Sequence, residues 1–238
     1  MSLRVGILQC DEVHEDLRGE FGDYPEMFIS ELGRLRPDWS FPVFRLFEGV
    51  FPKRSSCDGY ITTGSSFGVN DAKGWIRQLE EFVRKLSEGA VPYVGICFGH
   101  QLLARALGGR VAPAEVGWGV GIHSCSHAPA SIPGLPAESK LLVSHQDQVT
   151  ELGEGTSVIG GSEFCPHGWI RFGDHMLGIQ GHPEFSKPYA KALMDLRREL
   201  IGEEAYQNGT ESLGRDTDSG QVFELIVRFI EETNCSQP

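Results

Sequence analysis

Tyr93-Val94-Gly95-Ile96-Cys97-Phe98-Gly99-His100-Gln101-Leu102-Leu103-Ala104 decides how the rest of this chain reads. After Pro92 come residues of strand character, Tyr93 to Ile96, and then a helix-forming run that begins straight after Cys97. Glycine stands two before and two after the cysteine, a G-x-C-x-G spacing. A side chain held on a sharp strand-to-helix turn occupies strained backbone, and its neighbours must be small for strand and helix to approach each other. The turn also places Cys97 at a helix N-terminus, where unpaired amides and the helix dipole favour negative charge. A free cysteine alone is more often a small buried hydrophobe than a nucleophile. The paired glycines and the polar His100-Gln101 weigh for a nucleophile here, provided that a base exists elsewhere in the chain.

Upstream of this stretch, strands alternate with helices. Residues 4–9 are a short apolar run that breaks into a charged segment, the pattern of a buried first strand and its loop. Pro25 precedes a helical spacing of Met27, Phe28, Leu32 and Leu35 that stops before Pro37, and residues 43–47 and 58–63 read as the second and third strands. Trp75, Ile76, Leu79, Phe82, Val83 and Leu86 keep the helical period up to Gly89, which stands where a C-terminal cap belongs. Parallel strands joined by helices bring the loops at their carboxyl ends to one edge, so the loop 63–68 (TGSSFG) and Cys97 are expected to face one crevice. An oxyanion hole there would draw on the amide after the nucleophile, Phe98, and on one from this loop.

Beyond Gly108-Gly109 short strands follow without helices between them, at residues 110–112, 119–122, 140–143, 158–161, 169–172 and 176–180. The first three are expected to pack antiparallel at an edge of the main sheet, with 144–149 (SHQDQV) as a polar loop. Pro188 opens a helix through Leu193, Met194 and Leu200, a polar loop runs from Asn208 to Ser219, and Val222, Phe223, Ile226, Val227 and Ile230 make a last amphipathic helix. The predicted fold is α/β and three-layered, a mostly parallel central sheet flanked by helices with extra antiparallel strands, as one domain over residues 1–238.

Composition narrows the function. A net charge of −12 without a basic cluster speaks against a nucleic-acid partner, because binding a polyanion needs Lys and Arg to neutralise phosphates. No apolar run is long enough to span a bilayer, and Arg4 leads directly into a strand instead of a signal peptide, so no membrane contact and a cytoplasmic location are expected. The six cysteines are scattered without a C-x-x-C pair, which suits a reducing compartment and no disulfides. Glu12, Glu15, Asp16, Glu20 and Asp23 read as a solvated loop face. His123, Cys125 and His127 share a strand face at period two but lack a fourth ligand at zinc spacing, so neither metal nor cofactor is expected.

The second chemical signal is His182-Pro183-Glu184 at the end of the 176–180 strand. An imidazole can take the thiol proton and later protonate a leaving amine, while a carboxylate on the same side of extended backbone holds the ring in the useful tautomer. Pro183 favours that extended conformation at His182. His100 and His145 are rivals by position, but only His182 combines a strand end with a carboxylate two residues on. His14, His167 and His175 read as surface or turn residues.

With Gly95-Ile96-Cys97-Phe98-Gly99-His100-Gln101 and His182-Pro183-Glu184 both in place, the sequence resembles a class I glutamine amidotransferase domain, whose flavodoxin-like α/β fold would cover nearly the whole chain. The resemblance implies release of ammonia from glutamine through a γ-glutamyl thioester on Cys97, hydrolysed by water that His182 activates. It implies Glu184 as the orienter of His182, the backbone amides of Ser65 and Phe98 as oxyanion donors, and Gly64, Gln101, His145 and Gln146 about the substrate. Gly64-Ser65-Ser66 departs from the two glycines and proline of many members, and Gln146 stands where glycine is common. Gly181 replaces a frequently bulky residue, and Gly181-His182-Pro183-Glu184 resembles the branch of γ-glutamyl peptidases that act on glutathione-like compounds. Two enzymatic readings follow. A stand-alone amidotransferase-type glutaminase, its ammonia passed to a synthetase partner subunit or lost, ranks narrowly ahead of a γ-glutamyl hydrolase for peptides or conjugates. A noncatalytic redox or binding module, with Cys97 oxidised in place of acylated, ranks third.

Overall fold

The computed structural model describes residues 2–129 and 131–235. Every residue of β1 (Val5–Gln9) is buried, with Val5 and Ile7 in the core on one face and Leu8 in the core on the other. β2 (Val43–Arg45), β3 (Gly59–Thr62) and β4 (Tyr93–Ile96) join it in parallel, and β11 (Met176–Ile179) continues the parallel run beside β4. Strands buried on both faces need cover on both. α2 (Tyr24–Leu35) and α8 (Ser219–Cys235) close one face through Phe28, Leu32, Phe223, Ile226 and Ile230. α3 (Gly74–Ser87) and α4 (Phe98–Ala106) close the other through Ile76, Leu79, Val83, Leu102 and Leu103, completing helix, sheet and helix layers.

The sheet continues past β11. β10 (Trp169–Phe172), β9 (Thr156–Gly161), β6 (Gly119–His127) and β7 (Glu138–His145) follow antiparallel, so one sheet of nine strands runs in the order β2-β1-β3-β4-β11-β10-β9-β6-β7. β5 (Arg110–Pro113) pairs with β8 (Asp147–Glu151) in a separate ribbon. Residues 144–149 are therefore not the expected loop. Ser144 and His145 end β7, Gln146 alone turns the chain, and Asp147 begins β8.

Two other segments differ from expectation because packing and capping outweigh their polarity. α1 (Glu15–Phe21) replaces a charged loop; Asp23 caps α2 in a reciprocal capping box with Glu26, and Glu12 is held by Arg18 and Arg45. α5 (Lys187–Leu196) stops at Arg197, and beyond α6 (Arg198–Ile201) the helix α7 (Glu203–Ser212) takes up the first part of the polar stretch. Gly209 lets α7 lie close to β6, since a Cβ there would come 2.8 Å from Val120 Cγ2. Among the described residues no helix is long and apolar enough to cross a membrane.

Candidate active site

Cys97 is the N-cap of α4 at φ 50° and ψ −97°, and among the described residues it alone, glycines aside, has a positive φ. Tight packing holds this backbone. A Cβ on Gly95 would lie 2.3 Å from the Gly99 carbonyl oxygen, and one on Gly99 would lie 2.8 Å from Thr62 Cβ. Neither site has room for a methyl group, which is the mechanical content of the G-x-C-x-G spacing. The Cys97 N–H donates to the Ile179 carbonyl at 2.8 Å, so β11 delivers the residues that follow it to the thiol.

His182 lies past the end of β11, in a bridge where its N–H donates to the Leu142 carbonyl at 2.7 Å, and Glu184 falls in a turn in place of extended backbone. The pair forms nonetheless. His182 Nδ1–H donates to Glu184 Oε1 at 2.8 Å with both residues buried, which leaves Nε2 for the thiol. Phe185 stacks on the imidazole with ring centroids 3.8 Å apart. Burial works against a charged ring, but the Glu184 carboxylate and the Cys97 sulfur outweigh it and hold His182 above its ordinary range. At the rival histidines burial prevails. It pushes His100 and His145 each down to about 3, so both are neutral, and His145 Nδ1–H donates to the Asp147 carbonyl at 3.2 Å.

The cleft before Cys97 has a volume of about 200 Å³ and is lined by Ser65, Phe98, Gln101, His145, Gln146 and Arg197 among others. In the loop after β3, Ser66 N–H donates to Asp11 Oδ2 at 2.8 Å, Phe67 N–H to Ser65 Oγ at 3.1 Å and Gly68 N–H to Asp71 Oδ2 at 3.1 Å. The Ser65 amide has no acceptor among the described residues, and Phe98, as the first residue of α4, has none within its helix. Two unclaimed amides on the wall that holds Cys97 are what an oxyanion requires. Gly64 does not line the cleft. It lies under the imidazole, where a Cβ would come 2.8 Å from His182 Cε1 and 3.8 Å from Cys97 Cβ. Gly181 is hemmed in likewise, its Cβ position 2.8 Å from Leu141 Cβ.

Three residues here have no place in the sequence reading. Asp11 ties the loop after β3 to the end of β1, accepting also from Ser66 Oγ at 2.5 Å. Gln180 Nε2 donates to Cys97 Sγ at 3.4 Å, and its Oε1 accepts from Gln101 Nε2 at 3.2 Å, which also donates to the Asp147 carbonyl at 2.8 Å. A carbonyl only accepts, so the Asp147 oxygen sets the direction of both side-chain amides and presents an N–H to the sulfur. Its place two residues before His182 was the available signal for Gln180. Arg197, the third, had none. Of the histidines of β6, His127 Nε2 meets Ser139 Oγ at 2.7 Å, while His123 packs edge-on to Phe164 in a groove that shares Trp118 with the cleft. No group of three or more His, Cys, Asp or Glu among the described residues is arranged to hold a metal ion.

Fold and site together define a class, α/β proteins that carry a cysteine at a strained strand-to-helix turn beside a histidine–carboxylate pair. The chain belongs to the class I glutamine amidotransferase family, whose model matches residues 52–196. It is 32% identical over 197 residues to γ-glutamyl peptidase 3 of Arabidopsis thaliana, covering 78% of each chain. With γ-glutamyl peptidase 5 of the same plant it shares 34% identity over 188 residues, 74% of this chain and 73% of the other. A glutamine amidotransferase from Thermotoga maritima has the same fold, with a TM-score of 0.76 over the whole of both chains at 18% identity.

Proposed function

We propose that this protein hydrolyses the γ-glutamyl amide bond of γ-glutamyl peptides through a thioester on Cys97. Cys97 Sγ, its proton passed to His182 Nε2, attacks the γ-carbonyl carbon, and negative charge collects on an oxygen that faces the Ser65 and Phe98 amides. The C–N bond then breaks as His182 gives the proton to the departing amine. Water enters, loses a proton to His182 and attacks the thioester, so that glutamate leaves and Cys97 regains its proton. Glu184 keeps Nδ1 protonated and stabilises the imidazolium, while Gln101 and Gln146 hold the γ-glutamyl end. The observation that carries this reading is the convergence of a carboxylate-bonded imidazole and unclaimed amides about one buried, strained thiol.

Peptides rank above glutamine for two reasons, which reverses the order the sequence suggested. Relatives named γ-glutamyl peptidases match about three quarters of the chain at 32% and 34% identity. A groove of about 550 Å³ also shares Trp118 with the cleft, and its lining includes Val116, Val120, Phe164, Glu203 and Glu204, space that ammonia would not need. Cys97→Ala is expected to abolish hydrolysis of both glutamine and γ-Glu-Cys-Gly with Tm unchanged, and the native enzyme to favour the tripeptide by about tenfold or more in kcat/KM. Activity retained by the alanine variant would sink the nucleophile assignment. A preference for glutamine would restore the amidotransferase-type glutaminase, with a synthetase subunit as acceptor of its ammonia.

A further inference from the structure

One cation faces the cleft without a carboxylate partner. Arg197 sits at the break between α5 and α6 with its backbone at φ −102° and ψ 11°, half-buried, and lines the same cleft as Cys97. Among the described residues it forms no ion pair, although the next residue, Arg198, is forked onto Glu203 at 2.8 and 2.6 Å, and Arg18, Arg36, Arg45 and Arg84 each hold a glutamate. In a chain of net charge −12, a half-buried guanidinium left unpaired at a cleft is a place for an anion from outside. The carboxylate on the cleft wall, Asp147, lies toward the loop after β3, with Oδ2 3.5 Å from where a Gly68 Cβ would stand.

Position along the cleft selects the anion. Phe185 stacks on His182, Tyr24 and Tyr189 pack against Phe185, and the Tyr189 hydroxyl donates to that of Tyr24 at 3.3 Å. Burial raises the pKa of both phenols, and the Arg197 charge opposes that rise at each. Arg197 lines the cleft together with Trp118, and residues 201–205, just beyond it in the chain, line the adjoining groove, the space open to a leaving group. Gln101 and Gln146 keep company with Asp147 instead: Gln101 Nε2 donates to its carbonyl, and Gln146 is its neighbour in the chain.

We infer that Arg197 binds a free carboxylate on the leaving side of the substrate, so that preferred substrates are γ-glutamyl peptides with an unblocked C-terminus. The inference rests on the γ-glutamyl peptidase reading above. A guanidinium fork matches a carboxylate with paired N–H···O bonds. Ammonia leaving from glutamine has nothing for that fork to hold, and a peptide closed as its carboxamide lacks the charge.

Binding and turnover separate the two claims. Cys97→Ala protein, which forms no thioester, is expected to bind γ-Glu-Cys-Gly about ten- to a hundredfold more tightly than the same tripeptide with a C-terminal carboxamide. Adding Arg197→Gln is expected to bring the two affinities together. With Cys97 intact, Arg197→Gln is expected to raise KM for the free acid by the same factor with a much smaller change in kcat, to move the constants for the carboxamide and glutamine far less, and to be partly rescued by Arg197→Lys. Equal affinity for acid and carboxamide, or no binding of either, overturns the inference. So does a loss on Arg197→Gln that is the same for all substrates, which would place the α-carboxylate of the γ-glutamyl group on Arg197. Failure of the native enzyme to cleave any γ-glutamyl compound would overturn the proposed function instead, because the difference between acid and carboxamide is read by binding alone.

Discussion

A methyl group at position 64 would reach 2.8 Å from His182 Cε1, so the need for glycine there comes from the imidazole it supports. Gly64→Ala is expected to push the ring away from Cys97 and lower kcat by about a hundredfold with little change in Tm; full activity would show that the ring has room to yield. Glu184→Gln keeps the shape and removes the charge, and kcat should fall by about 10²- to 10⁴-fold. It also tests the electrostatics of the pair. A histidine whose folded pKa is raised contributes stability that is complete below its ordinary value near 6.5 and is lost as pH climbs through the raised value, about 10 here. The stability gap between native protein and Glu184→Gln should therefore be widest near pH 6 and shrink toward pH 10 in denaturant titrations. A gap independent of pH would refute an ion pair at this site.

The turn from β4 into α4 was legible because its requirements are local: a strand, a helix, and glycine where backbone meets backbone. Gly95→Ala would set a methyl group 2.3 Å from the Gly99 carbonyl oxygen, where no side chain can move aside to relieve the contact. A loss of about 1–3 kcal/mol is expected from the urea midpoint, and an unchanged midpoint would show that strand and helix can separate there. The junction of β7 and β8 was not legible. Ser144, His145, Gln146 and Asp147 are polar because they reach the cleft, and polarity without a partner in view reads as a loop. α7 was hidden for the same reason, its place decided by packing on β6 that the sequence of α7 does not carry. α5 breaks at Arg197 although neither glycine nor proline stands there.

Neutral histidines buried in the molecule contribute to how its stability responds to acid, His100 and His145 most strongly. Burial holds His100 and His145 at about 3, below the ordinary value near 6.5, so the unfolded chain binds more protons than the folded one between those limits. Stability is expected to fall as pH drops from 6.5 toward 3, with each group contributing on the order of a few kcal/mol once fully protonated in the unfolded chain. Tm measured between pH 7 and pH 4 checks this, and a flat profile would mean that both rings reach water. His182 acts on the alkaline side of neutrality and does not offset the acid loss.

The sequence by itself determined the strands β1 to β4 and the helices α2 to α4, though not α1, together with the strained cysteine and a histidine–glutamate pair, because alternation, turn sterics and i+2 spacing act within a few residues. Only the tertiary structure decided which amides are left unclaimed and that Gln180 and Arg197 face the same site as Cys97. Gln180 donates to a sulfur 83 positions away, a contact that exists because β11 pairs with β4 in one particular register. Register and packing arise from the whole core, whereas propensity and spacing are local. The Cys97 turn could therefore be read directly, while the place of Arg197 at the cleft depended on how the end of α5 packs.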